Sequence, residues 1–258
     1  MVRENRVTEM RAGVQQHTLD QSVVLHLLPG VLFLPVFIIA GPLAERVGLP
    51  LHLVPSLLGF VLAIIPFELG YLLYQGKKLN GKLSLRGVVL YREPIPWWQY
   101  IALGLPMLLW AAFIFVVIAP PVDSFFIERF FSWVPDSFFQ DALLDSLDQY
   151  SQSTLLVTGI VFVALLGIVV PLVEELYFRG YLLPRIALLR GWAPVVHIAL
   201  FSLYHFWSPW QNVARILAMS PLYLAVWWKR NVHLGIIWHV VANTLSALGL
   251  LGMILNAA

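Results

Sequence analysis

Read for the order of apolar and polar positions, the chain falls into seven long apolar runs separated by short polar blocks, near residues 22–40, 52–75, 98–119, 154–185, 193–209, 211–228 and 232–256. Most approach or exceed the roughly 18 to 20 residues that a helix needs to cross the hydrocarbon core of a bilayer. Within the runs the pattern has no polar face. ALGLPMLLWAAFIFVVIAP, residues 102–120, is apolar all round, whereas a membrane β-strand would alternate over about 10 residues. The pattern therefore predicts an all-α fold, a polytopic transmembrane helix bundle of seven or eight spans. The eighth arises because 154–185 is long enough to be one tilted helix kinked at Pro171, or to divide into a span and a shorter segment.

Composition agrees with an integral membrane protein: the 258 residues are 60% hydrophobic and 12% charged, with a mean hydropathy of +0.81, well outside the range of soluble domains. There is no cysteine, which excludes disulfides, thiolate nucleophiles and cysteine-ligated metal clusters. A net charge of +2 says little about partners, and no nucleic acid is expected. The first apolar run follows a basic start but is long and lacks a small-residue cleavage pattern, so it reads as a retained span.

Basic residues favour the cytoplasmic side. With seven spans, Arg3, Arg6 and Arg11, then Lys77 to Arg92, then Arg185 and Arg190, then Lys229 and Arg230 all fall on one face. The connection 120–153, with six acids against Arg129 alone, falls on the other. Its phenylalanines suggest an amphipathic helix along the outer interface. Three regions follow: a cytoplasmic N-terminal segment (1–21), an N-terminal transmembrane region with the interfacial acidic segment (22–153), and a C-terminal core (154–258).

An ionisable side chain at the centre of a span costs roughly 2.5 to 3.5 kcal/mol, so those present usually face the bundle interior. In the last four runs they are Glu174, Glu175, Arg179, His197, His205, Arg215, His233 and His239, with the neutral Asn243 beside them. At about 1.5 Å of rise per residue, Glu174, His205, His239 and Asn243 fall roughly 13 to 20 Å below the cytoplasmic ends of their helices. Glu175 and Arg179 are spaced to pair, as are His239 and Asn243 to share a face. Glu174, about 100° round the helix, looks elsewhere. Each feature also has a plain structural reading. Glu175 with Arg179 fixes helix position, His239 with Asn243 bonds between helices, and His26, His197 and His233 are packed or interfacial. Glu68 either lines the same cavity or reaches interfacial water, and Arg215 snorkels to the outer surface.

As a set, a carboxylate and an imidazole at one depth can hold and deprotonate a water, and an imidazole with an amide can donate to an oxyanion. That suits amide hydrolysis without a covalent intermediate. No G-x-S elbow and no H-E-x-x-H zinc motif occurs. Glu174, Glu175 and Arg179 form E-E-x-x-x-R, Phe201 and His205 form F-x-x-x-H, and His239 and Asn243 form H-x-x-x-N, in that order. Over about 154–258 the sequence resembles the CPBP family of intramembrane proteases, which includes CAAX prenyl endopeptidases of the Ras-converting-enzyme type and bacterial Abi proteins. The resemblance implies a glutamate-dependent, metal-independent endopeptidase with its site open to the cytoplasm. Glu174 and His205 would activate water, and His239 and Asn243 would form the oxyanion hole. Glu175, Arg179 and Phe201 would support the site. Its expected partners are a peptide or protein-tail substrate and membrane lipid, with the oligomeric state open. Two rival readings stand beside it. One is a noncatalytic immunity or scaffold protein of the same family; the other is a zinc site built from the glutamate and two histidines.

Overall fold

A computed structural model describes residues 14–135, 138–139 and 143–257. Arg3, Arg6 and Arg11 of the expected cytoplasmic segment lie outside the described residues, as do 136–137 and 140–142 of the acidic connection. Among the described residues the fold is all-helical, with one isolated β-bridge between Arg92 and Asn231.

Helix α1 spans Leu19–Arg46 and begins in a reciprocal cap: the Thr18 hydroxyl accepts from the Gln21 backbone N–H, and the Gln21 side chain accepts from Thr18. Helix α2 spans Leu53–Asn80 and stops at Gly81, whose φ of 71° supplies the left-handed turn that closes a helix C-terminus. Helix α3 spans Trp97–Phe130. Helix α4 covers 152–182, where wide turns at Val163–Val169 and Glu175–Leu182 flank the regular turn Val170–Glu174. An irregular stretch breaks helical geometry at Ile186 and Arg190. Then come α5 (Ala193–Leu203), α6 (Asn212–Lys229) and α7 (Val232–Ala257).

Five helical segments are long and apolar enough to cross a membrane: α1, α2, α3, the bent stretch Gln152–Leu203, and Val232–Asn256 in α7. The expected seven or eight spans are not reached on these grounds. The run 193–209 yields a helix of only 11 residues, and α6 carries the buried Arg215. The acidic connection also differs from expectation. Its first residues, with Asp123 and Glu128, continue α3 instead of starting an interfacial helix.

The connections rich in lysine and arginine lie together at one end. Leu90 N–H bonds to Gly180 O (2.7 Å), Glu93 N–H to Arg230 O (3.0 Å), Val232 N–H to Tyr91 O (2.6 Å) and His17 N–H to Arg185 O (2.8 Å). Burial, and then the Arg185 guanidinium, lower the pKa of His17 to about 4. At the opposite end aromatic rings close the bundle, with Phe37 against Phe138 (5.0 Å) and Phe139 against Trp210 (4.7 Å).

Pro171 explains how α4 and α7 are joined. Lacking an N–H, it leaves the carbonyls four and five residues earlier, those of Gly167 and Leu166, short of a helical donor. Helix α7 supplies two: Thr244 Oγ1 donates to Gly167 O (3.1 Å) and Asn243 Nδ2 to Leu166 O (3.2 Å). If that is the work of the amide, Asn243→Ala costs about 1 kcal/mol in the wild type and less than half as much in a Pro171→Ala background, where the N–H is restored. A double-mutant cycle of unfolding in mixed micelles checks this, and equal costs in both backgrounds would refute it.

Candidate active site

Helix α4 offers two adjacent carboxylates at its change from regular to wide turns, and the two meet different surroundings. Glu175 Oε1 receives the Arg179 guanidinium at 3.1 Å and His239 Nδ1 at 2.9 Å. All three side chains are buried. Its other oxygen, Oε2, has no donor and lies against Gly235, where any Cβ would overlap it. Arg179 is charge-paired but not aligned for a hydrogen bond. Its guanidinium stands over both the Phe201 ring (4.1 Å) and the Tyr223 ring (3.9 Å), whose π clouds face the cation from adjacent sides.

Glu174, 3% exposed, turns the other way. Its Oε1 accepts from the Tyr204 hydroxyl, and its Oε2 faces His239 Nε2 at 3.8 Å. That is too long for a direct hydrogen bond, but a water set to one side can touch both atoms. Because Nδ1 of His239 is engaged by Glu175, Nε2 is the ring nitrogen left for Glu174. His239 lies seven positions after Val232 at the start of α7, and Glu174 eight positions before Leu182 at the end of α4, which puts both roughly 10 to 12 Å from the basic end.

The remaining expected residues are placed less directly. His205 lies beyond the end of α5, in irregular backbone and not inside a span. Its Nδ1 bonds to Phe201 O at 2.9 Å, its ring packs on Tyr204 at 4.1 Å, and the contact with Glu174 is made by Tyr204. Asn243 shares the α4-facing side of α7 with His239, but its amide is on Leu166 O. Phe201 packs as expected beside the cluster, on Arg179 and 6.4 Å from the His239 ring.

Two further placements, those of Glu68 and Arg215, differ from the sequence reading, while the histidines are packed or exposed as expected. Glu68 does not reach interfacial water: it is fully buried in α2, with neither carboxyl oxygen bonded, and lies within electrostatic range of Glu174. Arg215 does not snorkel outward. It donates to Ser208 Oγ (2.8 Å), Gln211 Oε1 (3.1 Å), Asn212 Oδ1 (3.1 Å) and Ser202 O (3.4 Å), tying down the loop that carries Tyr204 and His205. His26 and His197 bond to each other at 2.7 Å, joining α1 to α5, while His233 is exposed. Sequence reasoning passed over Tyr204, although it sits inside F-x-x-x-H next to the histidine. Among the described residues, no three histidine, aspartate or glutamate side chains are arranged to share a metal ion.

Residues 156–245 match the family described as Type II CAAX prenyl endopeptidase Rce1-like. The match takes in all three motifs and about a third of the chain; no curated protein and no solved structure gives a match. The Rce1-like segment begins near the start of α4 and ends just past Thr244, so it excludes α1 to α3 and Glu68.

Glu175→Gln should cost about 3 to 5 kcal/mol, because it strands the buried Arg179 charge. Most of that loss should be recovered when Glu175→Met and Arg179→Met are combined, as read from thermal unfolding in detergent. Glu68→Met should not lower the same midpoint, since it removes a buried group that has no donor; a fall would reveal a partner for Glu68.

Proposed function

We propose that this protein is a glutamate-dependent intramembrane endopeptidase that cleaves a membrane-associated peptide or protein tail presented on the cytoplasmic side. The observation that carries the reading is the division of labour between the paired carboxylates. Arg179 and the Nδ1 atom of His239 are committed to Glu175, which leaves Glu174 held by one hydroxyl and faced by one imidazole, with no cation paired to it. A carboxylate so placed is free to accept a proton from water.

In the proposed reaction Glu174 takes a proton from a water whose oxygen attacks the scissile carbonyl. The C–N bond then breaks, and the proton passes from Glu174 to the leaving amine. His205, whose Nδ1–H is given to Phe201 O, keeps Nε2 for that water. His239, whose Nδ1–H is held by Glu175, is assigned to the oxyanion through Nε2 once that atom also carries a proton, together with the second N–H of Asn243. No metal is assigned a role. In this reading residues 154–258 are the catalytic core, supported by 22–153, and the basic connections at the near end support an opening toward the cytoplasmic side.

Glu174→Gln should abolish cleavage while leaving the protein folded and inserted. Peptide profiles of membranes carrying the wild type or this variant test it without a guess at substrate, and identical profiles would overturn the assignment. Activity should also survive chelators, and stoichiometric zinc in active purified protein would restore the metal reading. The second reading, a noncatalytic immunity or scaffold protein, draws on Asn243, whose amide is bonded to a neighbouring helix. It requires Glu174→Gln to leave protection intact.

A further inference from the structure

Among the described residues, Tyr204 is the one group that donates a hydrogen bond to Glu174, and its own placement is closely determined. Its ring is fully buried among Phe178, Phe201 and Trp207, at 5.0, 5.3 and 5.5 Å. Its carbonyl lies against Gly30 of α1, where any Cβ would overlap it. Downstream, the Arg215 guanidinium anchors Ser208 and Gln211, so the turn that presents the phenol is fixed on both sides. Gly30 is outside the Rce1-like segment, so a helix foreign to that segment helps set a contact on its central acid.

A phenol that donates to one carboxylate oxygen does two things: it orients the carboxylate plane, and it favours the ionised form. With Oε1 held by Tyr204, Oε2 is directed at His239. We propose that Tyr204 is a positioning residue of the catalytic centre, its hydroxyl fixing the Glu174 carboxylate toward His239 and setting how readily that carboxylate takes a proton. This rests on the assignment of Glu174 as the base. The titratable and charged groups around Glu174 are Glu68 from α2, Glu175 and Arg179 from α4, Arg215 and Tyr223 from α6, and His239 from α7. Tyr204 differs from these in contributing a neutral donor in direct contact.

The test reads the carboxyl group itself, not cleavage. In an infrared pH titration of the full chain in lipid, the protonated-carboxyl band that disappears in Glu174→Gln reports Glu174. Tyr204→Phe should move its midpoint up by about one to two pH units, the loss of one hydrogen bond to a charged group. Difluorotyrosine at position 204, a stronger donor of nearly the same shape, should move it down, and this covers the case in which the phenylalanine variant fails to fold. Tyr223→Phe removes an equally buried hydroxyl that has no partner and should leave the midpoint in place. A midpoint and band position insensitive to both changes at 204, or a shift of equal size in Tyr223→Phe, would overturn the proposal. Because no turnover is measured, this outcome is separate from failure of the protease reading, which Glu174→Gln decides through cleavage.

Discussion

The structure depends on a single buried carboxylate, that of Glu175. In a medium that cannot solvate charge, Arg179 is tolerable only with a counter-ion and with aromatic faces turned to it. Glu175, Phe201 and Tyr223 meet those needs from α4, α5 and α6, and His239 adds α7 through Nδ1. Four helices are thus held in register by one ionic group. Glu174 needs that register, because its own contacts, Tyr204 and His239, come from two of the same segments. The helix that carries both acids must turn them in different directions, and the step of about 100° between neighbours does so.

Helix α4 is also where backbone regularity is given up. Wide turns and a proline leave carbonyls without their usual donors, which hydrocarbon cannot satisfy. Side chains of α7 make up the deficit at Leu166 and Gly167. The polar residues of α7 therefore serve two needs one turn apart: His239 meets the ionic cluster, and Asn243 and Thr244 meet the broken ladder. This is why H-x-x-x-N is compatible with both a catalytic and a structural reading, and why spacing alone could not separate them.

Much of the fold was legible because span length and hydropathy are set by the bilayer and leave a coarse signal. The apolar runs located most of the helices, and the charge blocks placed the basic connections together. The Glu175–Arg179 pair was legible from its i, i+4 spacing. The course of the chain after Leu203 was not. The apolar content of 193–209 hid a helix end, and with it the contact of Tyr204 with Glu174. Arg215 was misplaced for a related reason: depth counted along a continuous helix is wrong where the chain turns back early. Glu68 carries no motif, and its burial depends on packing between α2 and α4 that no local pattern records.

Helix α1 lies wholly outside the segment that similarity marks out, yet it accepts the Tyr177 hydroxyl on Leu25 O at 2.8 Å, binds His197 through His26, and seats the Tyr204 carbonyl at Gly30. The limits of sequence kinship and of mechanical cooperation therefore do not coincide. A homologous core grafted onto a different leading helix would inherit the acids and imidazoles but not the floor they rest on. What can stand at positions 26 and 30 is accordingly limited by what stands at 197 and 204.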